Sequence, residues 1–343
     1  MPYFVRLKWK LGFIMCTKAG AIRRRDWRNN QFLIQRSPVR CLASTWCERI
    51  SHMRPTLRDL LVEPGVLIAD GATGTFLQQA GLPRGMAPER WNLENPEAIL
   101  SLHRSYLDAG SQVILTNSFG GNRYRLARHR LAEQAHELNR IAAQLAVQAA
   151  GTTAWVLGDM GPLGELLAPL GPVSYEDAVA AFSEQAAALA EGGVDGVLIE
   201  TMSDLEEAKA AVEGARRTTD LPVLVTMSFD THGRTMMGVT PEQAAHALWT
   251  LGVDVIGANC GHSLPENLEA IRAMREAEPQ AVLMAKPNAG LPHTEGNTLR
   301  YDVTPEIMAD YALRFVALGV KIFGGCCGST PEHIRAVARA LHG

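Results

Sequence analysis

Cys260, Cys326 and Cys327 are the residues whose types and spacing could do the most specific chemistry. The last two stand side by side in KIFGGCCGST, residues 321–330, at the end of an apolar run and between glycines. A disulfide between sequence neighbours would be a strained ring. A pair buried only for packing would not need glycine on both sides, although buried free cysteine is common and the dipeptide alone is a weak signal. Three thiols brought to one point would suit zinc, which favours tetrahedral sulfur and nitrogen ligands. Three protein ligands leave a fourth position open, which is the mark of a catalytic site. An all-sulfur set is electron-rich, poor at generating hydroxide and good at accepting another sulfur. A substrate thiol, with an ordinary pKa near ~8.5, would be held there as thiolate, ready to attack an electrophilic carbon. Asp70 and Glu200 offer negative charge for an ammonium group. Backbone N–H groups of the turn at Gly71, together with Thr116, could hold a carboxylate. An amino acid that carries a thiol would satisfy all of these.

Cys260 lies 66 residues before Cys326, so only a fold can join them. From residue 66 onward, eight short apolar runs alternate with longer Ala-rich amphipathic stretches: VLIADG, VILTNSF, WVLGDM, GVLIET, PVLVTMSF, VIGANC, AVLMAKPN and KIFGGCC. Continuous apolar strands alternating with helices predict a parallel sheet covered on its faces. Eight such units in this length predict a closed (β/α)8 TIM barrel in a single domain. A doubly wound sheet would more often show a G-x-G-x-x-G turn after an early strand, and none follows the first run. Helix signals agree. SYEDAVAAFSEQAAALAEGG, from Ser174, puts Ala178, Phe182, Gln185 and Leu189 near one face before a Gly-Gly stop. Ser203 with Glu206 reads as a capping box, and TPEQAAHALWTLG and TPEHIRAVARALHG each open with Thr-Pro-Glu.

In a barrel, chemistry gathers where strands end. The ends present Asp70-Gly71, Thr116 through Phe119, Asp159, Glu200-Thr201, Asn259-Cys260-Gly261 and Cys326-Cys327-Gly328. Asp159 alone reads as a helix cap. The set as a whole does not, since three of its members are cysteines.

The chain has 343 residues, is 47% hydrophobic and 20% charged, and carries a formal charge of −3. This composition is that of an ordinary soluble globular protein and argues against a nucleic-acid or membrane-surface partner. No apolar run approaches the roughly 18 residues of a membrane span. Six cysteines in so long a chain make no disulfide scaffold, and a reducing cytoplasmic setting follows. The first 52 residues differ. They hold 11 Lys and Arg against two acids, a net +9, leaving 22 against 34, or −12, for the rest. They show no clear period and are expected to be disordered: either an Arg-rich transit segment or a start assigned too early, with the domain occupying residues 53–343.

The motifs ADGATGT, TNSFGG, IETMSD, GANCG and GGCCGSTPEH resemble, in order, those of the zinc-dependent homocysteine S-methyltransferases. The resemblance implies a (β/α)8 barrel that transfers a methyl group to homocysteine in methionine biosynthesis. It implies that Cys260, Cys326 and Cys327 ligate Zn2+, that Asp70 and Glu200 bind the substrate's amino group, and that Gly71 and Thr116 lie near its carboxylate. Asn259, next to the first cysteine, belongs to the same substrate site. ILTNSFGGNRYRLARH, SFDTHGRTMMG and MADYALRFVALG are most similar to bacterial betaine–homocysteine methyltransferases, which implies betaine as donor and dimethylglycine as the second product.

A quaternary ammonium is usually recognised by aromatic faces, so Phe119 is the expected donor-site aromatic, with Trp91 and Tyr124 either joining it or packing in the core. Gly120 and Thr201 stand where the animal betaine enzymes have tyrosines. S-methylmethionine is an alternative donor, as is methylcobalamin or methyltetrahydrofolate through a separate corrinoid protein. A non-enzymatic zinc or thiol sensor is the rival from another class. A corrinoid protein and a second copy of the chain stay open as partners.

Overall fold

Each of the eight apolar runs forms a strand of one parallel sheet. They are β1 (Leu67–Ile68), β2 (Val113–Leu115), β3 (Trp155–Met160), β4 (Gly196–Met202), β5 (Val223–Met227), β6 (Val255–Cys260), β7 (Leu283–Pro287) and β8 (Val320–Phe323). The sheet order is β1-β8-β7-β6-β5-β4-β3-β2. A parallel bridge from Ala69 to Val113 joins the two ends. The Gln112 N–H donates to the Ile68 carbonyl at 2.7 Å, and the Ile68 N–H to Gln112 Oε1 at 3.2 Å. The barrel predicted from the sequence is therefore closed.

This computed structural model describes residues 54–295 and 298–343, preceded by the backbone of three antiparallel strands, Met15–Cys16, Ile22–Arg25 and Phe32–Gln35. The chain divides into two units, residues 1–55 and 56–343. Those three strands apart, the expectations made for residues 1–52, disorder and a mis-assigned start, lie outside the described residues.

Strand alternation sorts the apolar residues into two layers. Leu67, Val113, Leu115, Leu157, Leu198, Leu224, Val255, Met284 and Ile322 fill the barrel interior. The residues between them, such as Ile114, Val156, Val197, Val225 and Ile256, face outward and pack with the helices. Leu57 and Leu61, on the helix Leu57–Val62, join the inner layer. A Cβ on Gly196, the first residue of β4, would stand 2.9 Å from Leu57, so this helix plugs the end where strands begin. Thr56 and Asp59 fix its start with a reciprocal capping box.

The outer helices start and stop where the sequence signals them. Ser174 caps Tyr175–Glu191, which ends at Gly192, and Thr240 caps Pro241–Thr250 in a box with Gln243. One cap differs from expectation. The helix Leu205–Thr218 is capped by Asp204, whose carboxylate accepts the Glu206 N–H at 2.9 Å, and not by Ser203. A carboxylate also gains from the positive end of the helix, which a hydroxyl does not.

Candidate functional site

The inner layer changes character two residues beyond its apolar members. Leu157 is followed at the next inward position by Asp159, Leu198 by Glu200, Leu224 by Thr226 and Met284 by Lys286. The same alternation that fills the barrel with leucine thus sets a polar layer at its C-terminal end. Two residues break the alternation. Thr201 and Cys260 both have left-handed backbone, with φ of 61° and 59°. Non-glycine residues adopt this region rarely and at a cost. Here it lets Thr201 and Cys260 reach the cavity beside neighbours that already face inward. Asn259 supports both turns. Its Oδ1 accepts from the Thr201 N–H at 2.8 Å and from Thr226 Oγ1 at 2.7 Å, and its Nδ2 donates to Thr201 Oγ1 at 2.7 Å.

A cavity of about 450 Å³ opens above this layer. Its walls include the turn from Gly71 to Thr75, Glu89, Asn117, Phe119, Arg125, Asp159, Glu200, Lys286 and all three cysteines. The Cys260, Cys326 and Cys327 sulfurs lie within 4.8 Å of one another, and Cys326 Sγ is 3.6 Å from Cys260 Sγ. Hydrogen bonding to Cys260, then burial, holds the Cys326 thiol well above its ordinary range. Three soft donors so crowded that each disfavours ionisation of the next fit a thiophilic cation, which would reverse that preference. The donor set therefore fits a metal of the zinc type.

The charges below the cavity are three acids and one cation. Lys286 Nζ lies 3.1 Å from Glu200 Oε2 and 3.9 Å from Asp70 Oδ1, and both the lysine and Asp70 are buried. Burial would lower the Lys286 pKa, but Glu200, Asp70 and Asp159 together raise it, so the ammonium stays charged. Burial pushes Asp70 up to about 7, against the pull of Lys286 and of the Leu115 N–H that it accepts at 2.8 Å. Burial, and next to it Glu200, hold Asp159 well above the usual carboxylate range. Asp159 Oδ1 has no hydrogen-bond partner. A site of this kind attracts one further cation.

The expected residues separate into two groups. Gly71, Phe119, Glu200 and the cysteines line the cavity, and Asp70 lies in the charged layer beneath it. A Cβ on Gly71 would come within 2.7 Å of Ser329 Oγ and 2.8 Å of the Tyr106 ring, so the turn is as tight as its glycine allows. Thr116 and Asn259 are buried outside the lining. Thr116 follows the inward Leu115 and so points away. Its hydroxyl accepts the Asp159 N–H at 2.9 Å and meets Ser118 Oγ at 2.5 Å. Of the aromatics, Phe119 alone among the described residues lines the cavity. Trp91 is in the core and Tyr124 packs beside it. One face of Phe119 is engaged by the Arg125 guanidinium, 5.1 Å from the ring centroid. Gly161 lies against the same ring, where an added Cβ would clash.

Lys286 and Tyr301 are among the residues that escaped the reading of the sequence. Lys286 had a signal: a lysine inside an apolar strand, at the inward spacing from Met284. Tyr301 had none. It sits on a hairpin after β7, Pro292–Glu295 with Thr298–Tyr301, and its ring packs on Gly328, whose φ is 78°.

Fold and site together define a barrel enzyme with a thiol cluster at the C-terminal rim. Residues 67–341 match the family model described as homocysteine S-methyltransferase, and the chain belongs to that family. It is 36% identical over 294 residues to methionine synthase of Mycobacterium leprae and 36% identical over 295 residues to that of Mycobacterium tuberculosis. Each alignment covers 80% of this chain, which spans only 24% of those longer proteins. Among solved structures it resembles the metallated homocysteine methyltransferase MmuM from Escherichia coli, with a TM-score of 0.70 and 25% identity over 82% of this chain and 99% of that one. A methyltransferase from Methanosarcina mazei shares the fold, with a TM-score of 0.54 at 13% identity.

Proposed function

We propose that residues 53–343 form one barrel domain that transfers a methyl group to the thiol of homocysteine, giving methionine, and that Cys260, Cys326 and Cys327 hold zinc. The observation that carries this reading is the cysteine triad on the wall of a cavity shared with Glu200, Lys286 and the turn at Gly71. Family membership and the likeness to a metallated homocysteine methyltransferase support it. Zinc, when bound, would supply stabilisation of a fourth sulfur as thiolate near neutral pH.

The chain's own residues do the positioning. Glu200 and Asp70 attract the substrate ammonium, and Lys286 balances the charge that this cation leaves over. The turn from Gly71 offers backbone N–H groups to the carboxylate, because Ala72 at the helix start brings no side-chain cap of its own. With the amino acid held at both ends, its sulfur is fixed against the donor. The thiol proton goes to solvent. The sulfur then bonds to the donor's methyl carbon as that carbon's bond to its leaving atom breaks, both electrons departing with the leaving atom. From betaine the leaving group is dimethylglycine, a neutral amine at the reacting nitrogen, so no general acid is required.

Betaine is the first donor reading and S-methylmethionine its close alternative. A second reading, a methyl group brought by a separate corrinoid partner, draws support from the 36% identity to methionine synthases. Thiols that must stay reduced suit a cytoplasmic location. Among the described residues no helix is long and apolar enough to cross a membrane.

The test is to give the zinc-loaded chain homocysteine with betaine, S-methylmethionine or methylcobalamin separately, and to measure methionine. Methionine from betaine supports the first reading. Methionine from methylcobalamin alone would move the donor site to a partner, and methionine from none would refute the proposal. Cys326→Ala should lose zinc and turnover together. Full zinc occupancy with normal turnover would show that the triad is not the centre.

A further inference from the structure

The cavity has a second charged end that the homocysteine site does not use. Arg123, Arg125 and Arg128 follow one another around the short helix Arg123–Ala127 and its last turn. Arg123 is committed to Glu184 through bonds of 2.8 and 2.9 Å, and Arg128 to Glu165 at 2.8 Å. Arg125, between them, makes no ion pair with any described carboxylate and lines the cavity instead. Its guanidinium lies over Phe119. A guanidinium carries five N–H donors, and contact with one ring leaves several of them free for a further partner. His129, four residues on and hence on the same side, lines the cavity as well. The nearby acids are Glu89, whose Oε1 accepts the Gly120 N–H at 2.6 Å, and Glu207, whose Oε1 accepts the Leu163 N–H at 2.6 Å. Burial raises the Glu89 pKa and pushes Glu207 up to about 7, which weakens both as counter-ions for the arginine.

We propose that Arg125, assisted by His129, is the subsite that holds the carboxylate of the methyl donor and sets its orientation in the cavity. The inference rests on the methyl-transfer reading above. It supplies what Phe119, the one Phe, Tyr or Trp lining the cavity among the described residues, does not: with Arg125 on its face, that ring cannot enclose a quaternary ammonium. The donor's methyl-bearing end has to meet the homocysteine sulfur at the cysteine triad, and its carboxylate is drawn toward Arg125. Orientation thus comes from holding the carboxylate at one end of the cavity while the methyl group meets the sulfur at the other. An arginine suits the task because its fork matches a carboxylate through two parallel bonds.

Two measurements on the full zinc-loaded chain test this. The first is calorimetric binding of dimethylglycine, which carries the carboxylate, and of tetramethylammonium, which does not, in the presence of homocysteine. Arg125→Gln should weaken dimethylglycine roughly 10- to 100-fold and leave tetramethylammonium unchanged, with Arg125→Lys recovering part of the loss. Equal effects on both ligands, or none on dimethylglycine, overturn the subsite whether or not turnover is found. The second is methionine formation at saturating homocysteine. Arg125→Gln should raise the KM for betaine or S-methylmethionine by a similar factor while the homocysteine KM and zinc content hold. Methionine from methylcobalamin alone would leave the acceptor reading standing and remove this one.

Discussion

Replacing Lys286 by methionine tests the charge balance at the floor of the site. Methionine matches the lysine stem and removes the one cation among Asp70, Asp159 and Glu200. Breaking a buried ion pair by removing one partner costs about 3–5 kcal/mol when the other charge is left alone. Asp70 has a way to limit the loss, which is to bind a proton, and burial has already pushed its carboxyl up to about 7. At pH 5.5 it is protonated with or without the lysine, so the stability difference from wild type should be smallest there and should grow toward about 3–5 kcal/mol as pH rises through 7, by proton linkage.

The sign follows from the direction of the shift. Burial holds the folded-state pKa of Asp70 above its unfolded value, and removing Lys286 moves it higher still. A group raised in this way contributes stability that is fully present below the unfolded pKa and is lost as pH climbs through the folded one. Wild type loses it up to about 7 and the variant goes on losing it beyond, so the gap widens above pH 7. The assay is guanidinium denaturation of metal-free wild type and variant at pH 5.5, 7 and 8.5, so that thiol ionisation is common to both. A difference that does not change with pH, or one below ~1 kcal/mol at pH 7, would refute the claim that Lys286 balances these acids.

Gly71→Ala should destabilise the barrel by about 1–3 kcal/mol and raise the homocysteine KM, because the new Cβ meets Ser329 Oγ and the buried Tyr106 ring. Denaturation and steady-state kinetics on one preparation check both effects. Leu57→Ala, in the plug at the opposite end, should cost about 2–5 kcal/mol with kcat and zinc content unchanged, as expected of a cavity far from the chemistry. A large fall in kcat at full folding would mean that the plug and the rim are coupled.

How far the sequence revealed the site depends on what each residue's role rests on. The barrel was legible because burial on both faces forces continuous apolar strands, and eight of them leave few other architectures. The cysteines, Glu200 and Asp70 were legible because their positions at strand ends are fixed by counting from those runs. Thr116 shows where counting stops being enough. It stands just past the end of β2, as Glu200 stands near the end of β4, yet it follows an inward leucine directly, so its side chain turns out of the cavity and into a hydrogen bond that shapes β3. Cys260 is the opposite case. By strict alternation Asn259 faces inward and Cys260 should not, and only a left-handed backbone, braced by Asn259, brings the sulfur to its partners. No propensity announces that conformation at a cysteine. The local cost of such a backbone, of order ~1–3 kcal/mol, is tolerated where surrounding bonds over-determine it.

Lys286 lay within reach of the same counting, two residues beyond Met284, but a lone lysine in an apolar run carries no meaning until its partners are known. Arg125 lay out of reach. Three arginines within six residues look alike in sequence, and only the glutamates that neutralise two of them single out the third. The residues that bind by charge are thus found by subtraction, after the structure has shown which charges are already spent.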